Sequence, residues 1–68
     1  MWYIIKRFSR GILAGHALWA SYNQGGKRVY AVTANHKTGL ACTPRCNPNS
    51  CPTNQAAAIA IAKEDAAL

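Results

Sequence analysis

The stretch from Ala17 to Ala34 constrains the fold most, because it holds two strand patterns on either side of a turn signal. Residues Ala17 to Tyr22 alternate apolar and small side chains, and Arg28 to Ala34 are rich in β-branched and aromatic ones. The tetrapeptide between them, Gln24-Gly25-Gly26-Lys27, is typical of a hairpin turn. The sequence therefore predicts an antiparallel hairpin with a basic, glycine-containing tip.

A loop centred on Gly25 and Gly26 predicts the register of this hairpin, whether two or four residues form the loop. The predicted pairs on one face are Tyr22 with Val29, Ala20 with Ala31, and Leu18 with Thr33. On the other face they are Trp19 with Val32 and Ser21 with Tyr30. This register places Trp19, Tyr30 and, near the tip, Arg28 on one face, a combination that suits either a core or a surface for stacking bases.

The rest of the chain extends this hairpin into a small α+β domain. Trp2 to Phe8 has strand periodicity, with Trp2, Ile4, Lys6 and Phe8 expected on one face and Tyr3, Ile5 and Arg7 on the other. The remaining segments are a connection (Ser9 to His16), a second turn (Asn35 to Gly39), a short last strand (Leu40 to Thr43), a loop rich in cysteine, proline and asparagine (44–52) and a helix (53–68, centred on Asn54 to Ala67).

These segments predict one domain, with an antiparallel sheet in residues 1–43 and a C-terminal helix packed on one face. We expect a meander of three or four strands. The chain has 68 residues, a size at which a domain hides only about 60% of the surface of its unfolded chain. A metal, a disulfide or self-association through a sheet edge would therefore add useful stability.

The charge distribution predicts a polyanionic partner. The formal net charge is +6, and both acidic residues, Glu64 and Asp65, lie among the last five residues. Residues Met1 to Pro52 contain seven cations and no acid, namely Lys6, Arg7, Arg10, Lys27, Arg28, Lys37 and Arg45. A surface of this kind attracts nucleic acid or an acidic face of a host protein or nucleoprotein.

The cysteine loop is the most specific local motif. Cys42, Cys46 and Cys51 have the spacing C-x3-C-x4-C, and His36 precedes Cys42 by six residues. Three thiolates and one imidazole form a tetrahedral zinc set, although the short C-x2-C knuckle of most zinc modules is missing. The alternatives are a disulfide between two of the cysteines, or three reduced thiols of which one or two are buried. We expect no cofactor, with zinc as the one candidate.

The sequence predicts a binding protein rather than an enzyme. Glu64 and Asp65 are neighbours on one helix and point in different directions, so they cannot act as a paired acid and base. No apolar stretch reaches the 18 or more residues of a membrane span, and Lys6, Arg7 and Arg10 interrupt the apolar N-terminus before a secretory signal develops. We therefore expect a cytoplasmic protein without a membrane partner.

The predicted function is nucleic-acid binding through a cationic surface of the sheet and hairpin. Phosphate contacts are assigned to cations along the first strand, at the hairpin tip and in the second turn, and stacking to two aromatics. These residues are Lys6, Arg7, Arg10, Lys27, Arg28 and Lys37, with Trp19 and Tyr30 for stacking. The competing interpretation is that Trp19 and Tyr30 form the sheet face under the helix.

The order of three strands and a helix resembles two groups of proteins in layout. Trp19 to Thr33, followed by the terminal helix, is similar to the amino-terminal arm-binding domain of tyrosine integrases, which inserts a three-stranded sheet into a DNA groove. The small size and the strand at the start of the chain resemble very small phage-encoded inhibitors, including anti-CRISPR proteins. The second resemblance implies the alternative function, a phage-type inhibitor that blocks a host protein or nucleoprotein complex. Neither resemblance assigns a functional residue.

Overall fold

The computed structural model describes residues 1–34 and 42–67. Three strands come first, namely β1 (Tyr3–Arg7), β2 (Ala17–Tyr22) and β3 (Arg28–Thr33). A short 3-10 helix, Pro48–Ser50, and the helix α1 (Gln55–Ala67) follow. The strands form one antiparallel sheet in the order β1-β2-β3, and α1 packs against β3. The predicted α+β fold is therefore confirmed, with three strands in the described residues.

The register of the β2–β3 hairpin differs by one residue from the prediction, which was wrong. The structure pairs Trp19 with Ala31 and Ala20 with Tyr30, so Trp19 and Tyr30 lie on opposite faces. The loop has three residues, closed by a 3.0 Å hydrogen bond from the Gly26 amide to the Asn23 carbonyl and a 2.9 Å bond from the Asn23 amide to the Lys27 carbonyl. Gly26 has a φ of 80°, as the last residue of such a loop requires.

Strand β1 also departs from simple alternation. Its register shifts between Ile4 and Lys6, so that Ile4 pairs with Trp19 while Lys6 pairs with Leu18. This β-bulge adds one residue to β1, and Ile5 packs against the core instead of joining Arg7 on the far face. The predicted faces of β1 therefore hold as far as Ile5, which shares its face with Tyr3, and were wrong for Lys6 and Arg7.

The connection between β1 and β2 is a closed turn, as expected. The Phe8 amide donates to the His16 carbonyl over 3.0 Å, and the Gly15 amide donates to the Phe8 carbonyl over 2.9 Å. Gly11 and Gly15 take positive φ values of 76° and 86°, which glycine adopts without steric cost. Leu13, at the centre of this turn, is buried and anchors it to the domain.

Helix α1 begins after Asn54, whose side-chain oxygen accepts a 2.7 Å hydrogen bond from the Ala56 amide. Asn54 thus caps the N-terminus of the helix, a role for which asparagine is one of the preferred residues. Ala58 is buried in a core that also contains Leu18, Ala20 and Tyr30. Because alanine has a short side chain, the helix lies close to the sheet. None of the helices in the two described segments is long and apolar enough to cross a membrane.

The predicted second turn (35–39) lies outside the described residues, as do Leu40 and Ala41 of the predicted fourth strand. Cys42 follows directly, and its amide donates a 3.3 Å hydrogen bond to the carbonyl of Ala34 at the end of β3. From Cys42 to Pro52 the chain is a loop with one short 3-10 helix. This confirms the loop predicted from the prolines of 44–52, whereas the predicted last strand was wrong for Cys42 and Thr43, which are not in a strand.

Candidate nucleic-acid interface

Helix α1 covers only part of the sheet face on which it packs. Three tyrosines and an arginine lie together at the uncovered end of this face. We call Tyr3, Tyr22, Arg28 and Tyr30 the tyrosine–arginine patch. The Arg28 guanidinium carbon lies 5.6 Å from the centroid of the Tyr3 ring and 5.6 Å from that of Tyr30. Tyr22 is the direct cross-strand partner of Arg28. The guanidinium is thus held between two aromatic rings, each contact contributing about 0.5–1 kcal/mol at an exposed site.

The rings of the patch differ in exposure. Tyr22 is 57% exposed and Tyr3 38%, whereas Tyr30 is 9% exposed and belongs to the core under the helix. The pKa of the Tyr22 phenol is raised above its ordinary value, first by side-chain hydrogen bonding with Tyr3 and then by the charge of the same phenol. Tyr22 is neutral at physiological pH, and the exposure of its side chain leaves the ring accessible.

The predicted cations are exposed and lie at both ends of the sheet. Lys27 and Arg28 are at the hairpin tip, while Lys6 and Arg7 are at the opposite end, where Arg7 pairs with Ala17. Strand β2 has 6 residues, so these ends are about 17 Å apart at about 3.4 Å per residue. Arg10 is exposed in the turn after β1, and Lys37 lies outside the described residues.

Trp19 lies on the face of the sheet opposite the patch. Its side chain is 7% exposed, and its indole nitrogen donates a 2.9 Å hydrogen bond to the Thr33 hydroxyl. Nearby on this face, Ser21 is 1% exposed and donates a 2.8 Å hydrogen bond to the Met1 carbonyl. The structure therefore does not bring Trp19 together with Arg28 and Tyr30, as the predicted register did.

The cysteine loop holds the hairpin tip in place. The Gln24 amide donates a 2.7 Å hydrogen bond to Asn49 Oδ1, and the Tyr30 amide donates a 2.9 Å bond to the Pro52 carbonyl. Within the tip, the Lys27 amide donates to Asn23 Oδ1 over 2.9 Å. These bonds connect the loop after β3 to the outer edge of the hairpin and position the backbone that carries Lys27 and Arg28.

Two of the three cysteines are neighbours. Cys46 Sγ and Cys51 Sγ are 2.9 Å apart, both as free thiols, and they line a groove of about 350 Å³ between β3 and α1. Within residues 1–34 and 42–67, no group of three or more His, Cys, Asp or Glu side chains is arranged to hold a metal ion. The predicted zinc set consists of the three cysteines and His36. Because His36 lies outside those ranges, the zinc site stays a prediction.

Sequence reasoning missed Tyr3 and Tyr22 as site residues. The predicted hairpin register paired Tyr22 with Val29 and so placed it on the other face from Arg28. For Tyr3, the sequence predicted which β1 residues share its face but not how β1 pairs with β2. The position of Asn23 was the available signal, since an asparagine before a glycine-rich turn can accept a hydrogen bond from a backbone amide a few residues later.

The chain matches no protein-family model, no curated protein and no solved structure. The tyrosine–arginine patch and the charge distribution therefore carry the functional argument.

Proposed function

We propose that this protein is a small basic binding protein that holds single-stranded nucleic acid on the tyrosine–arginine patch and the hairpin tip. The observation that carries the proposal is the position of Arg28, whose guanidinium lies 5.6 Å from two ring centroids beside the exposed Tyr22. Because the rings restrict its motion, this guanidinium loses little conformational entropy when it contacts a phosphate.

The exposed rings supply the second half of the interaction. Bases of a single strand stack on aromatic faces with about 1–3 kcal/mol per base, regardless of sequence. Tyr3 and Tyr22 offer such faces next to Arg28, and they take the stacking role that the sequence suggested for Trp19 and Tyr30. Tyr30, which is 9% exposed, instead supports Arg28 from below.

The remaining cations extend the surface. The distance of about 17 Å between the two ends of β2 corresponds to about five stacked nucleotides at about 3.4 Å per nucleotide. A strand bound at the hairpin tip can therefore reach Lys6, which pairs with Leu18 on the same face as the patch. Arg7 pairs with Ala17 and lies on the opposite face, with Trp19. No acidic residue occurs before Glu64, so no carboxylate in the sheet competes with phosphate for these cations.

Binding measured at two salt concentrations tests the proposal. Purified protein is titrated with short single- and double-stranded DNA and RNA at about 50 and 200 mM salt, and each lost phosphate contact should lower the salt slope by about 0.7 for a single strand. Lys27→Ala combined with Arg28→Ala should weaken binding and make the slope shallower.

The matched control removes two cations that lie away from the patch, Arg45→Ala with Lys63→Ala. Both pairs change the net charge equally, so a difference between them reports local contacts rather than overall charge. Equal losses for the two pairs, or no binding at about 50 mM salt, would refute the proposed site.

A second candidate function is a phage-type inhibitor that binds a host protein or nucleoprotein. The observation in its favour is the exposure of Met1 (105%), Tyr22 (57%) and Tyr3 (38%), because methionine, tyrosine and arginine are enriched at protein interfaces. In that case the substitution Tyr22→Ala should abolish partner binding, whereas Lys27→Ala should not. A partner captured by the wild-type protein and lost with Tyr22→Ala, in the absence of nucleic-acid binding, would favour this function.

A further inference from the structure

The Cys46 and Cys51 thiols are in contact within one short loop. Their sulfur atoms are 2.9 Å apart, and Cys51 Sγ also donates a 3.4 Å hydrogen bond to the Asn47 carbonyl. Cys42, the third cysteine, does not line the groove that this pair lines. The structure thus selects one pair among the three that the sequence left open.

The backbone between the two cysteines is ordered by its own hydrogen bonds. Asn47 accepts two of them, from the Asn49 amide to its side-chain oxygen over 3.0 Å and from the Ser50 amide to its carbonyl over 2.9 Å. The Cys51 amide donates to the Pro48 carbonyl over 3.3 Å. The loop therefore holds the two thiols together while both are reduced, so little further ordering is needed to join them.

We propose that Cys46 and Cys51 are a redox modification site that forms a reversible disulfide by exchange with a low-molecular-weight disulfide such as glutathione disulfide. This proposal does not rest on the nucleic-acid function. Cys46 is the exposed member of the pair and reacts first, whereas Cys51 is half-buried and hydrogen-bonded to Asn47.

The exchange is balanced in two steps. The Cys46 thiolate attacks one sulfur of the small disulfide, the S–S bond breaks, and one small thiolate leaves. The Cys51 thiolate then attacks the Cys46 sulfur, and the second small thiolate leaves. The protons of the two cysteines end on the two small thiols, so the protein loses two electrons and the small disulfide gains them.

The disulfide would tighten the contact between the loop and the hairpin tip. The ring that it closes contains Asn49, which binds the Gln24 amide, and Cys51 is followed directly by Pro52, which binds the Tyr30 amide. Oxidation should therefore slow hydrogen exchange at the Gln24 and Tyr30 amides. A ring of this size also restricts the unfolded chain, and we expect Tm to rise by roughly 5–15 °C.

The test uses the full chain equilibrated in glutathione buffers of increasing oxidised fraction, quenched with acid, alkylated and analysed by mass spectrometry. Wild type should lose two of its three alkylatable thiols and about 2 Da of mass, with the disulfide mapped to Cys46 and Cys51. The matched control, Cys42→Ser, should still form it, whereas Cys46→Ser and Cys51→Ser should not.

Three outcomes would overturn the proposal. They are retention of all three thiols in the most oxidising buffer, a disulfide that includes Cys42, and stable mixed disulfides with glutathione in place of the internal bond. If the internal disulfide forms but leaves hydrogen exchange at Gln24 and Tyr30 unchanged, the proposed effect on the hairpin is wrong. The Cys42→Ser variant keeps Cys46 and Cys51, so hydrogen exchange in its reduced and oxidised forms can be compared without interference from the third thiol.

Discussion

Asn49 Oδ1 accepts a 2.7 Å hydrogen bond from the backbone amide of Gln24, which lies 25 residues earlier in the chain. This bond joins the loop before α1 to the tip of the β2–β3 hairpin. Because Gln24 lies in the three-residue hairpin loop, the contact acts on the backbone that leads into Lys27 and Arg28. Two elements that the sequence predicts separately therefore form one surface.

Replacing Asn49 with alanine should loosen the hairpin tip. We expect the free energy of unfolding to fall by about 1 kcal/mol, because the Gln24 amide loses its partner at an exposed site where water partly replaces it. Native-state hydrogen exchange at Gln24 should become faster. Asn49→Asp keeps the acceptor oxygen and should preserve the protection, and equal exchange at Gln24 in wild type and Asn49→Ala would show that the bond does not hold the tip.

Replacing Arg28 with lysine should show how much of the binding affinity depends on the planar guanidinium and how much on the positive charge alone. Lysine keeps the positive charge but lacks the planar guanidinium that lies between the Tyr3 and Tyr30 rings. Affinity for a short single strand should fall about three- to tenfold with an unchanged salt slope, whereas Arg28→Ala should also reduce the slope by about 0.7. Fluorescence anisotropy across a salt series measures both quantities. If Arg28→Lys binds as tightly as wild type, the two rings have no part in binding.

The reactivity of Cys51 in the reduced protein should depend on pH up to the strongly alkaline range. Partial burial, followed by hydrogen bonding with Cys46, raises the pKa of the Cys51 thiol to about 12. Alkylation of Cys51 by iodoacetamide should therefore keep rising about tenfold per pH unit between about pH 8 and 10, where an ordinary thiol levels off. Mass spectrometry of quenched samples gives the site-specific rate.

Two controls accompany this measurement. The urea-unfolded protein provides the ordinary thiol profile, and Cys46→Ser removes the partner thiol and should shift the Cys51 profile to lower pH. A Cys51 rate that levels off near pH 9 in the folded, reduced protein would contradict the raised pKa.

Replacing His16 with leucine should leave the protein as stable or stabilise it by up to about 1 kcal/mol. The reason is that His16 Nδ1 is buried and has no hydrogen-bond partner among residues 1–34 and 42–67. The backbone bonds of His16 with Phe8 and Leu13 do not involve the side chain and should persist. Urea denaturation of both proteins gives the difference, and a loss of more than about 1 kcal/mol would mean that the imidazole makes a favourable contact.

Local chemistry made much of the fold predictable. The uninterrupted alanine-rich run after Asn54 predicts a helix, and the structure confirms it. The prolines between Cys42 and Pro52 predict a loop, which is also confirmed. The three strands were located to within one or two residues because their periodicity and the flanking glycines are properties of short segments.

The candidate site was predicted only in part. Composition identified the cations, including Arg28, because charge is a property of the residues themselves. Tyr30 was predicted on the face of Arg28, and the structure places the two side chains together. Tyr3 and Tyr22 were not predicted beside Arg28, since a shift of one residue in the register exchanges the two faces of a strand. Tyr3 and Tyr22 therefore replaced Trp19 beside Arg28 once the register was known.

The type and order of the three strands and the helix, and the cationic character of residues 1–52, can be deduced from the amino-acid sequence, because they depend on local propensity and on ionisable groups. Which side chains share a face, and which cysteines are in contact, follows only from the packing of the folded chain. The three-residue hairpin loop and the bulge at Ile5 set the register of the sheet. Interactions between residues distant in sequence, such as the hydrogen bond of Gln24 with Asn49 and the core that Leu18 shares with Ala58, stabilise this arrangement.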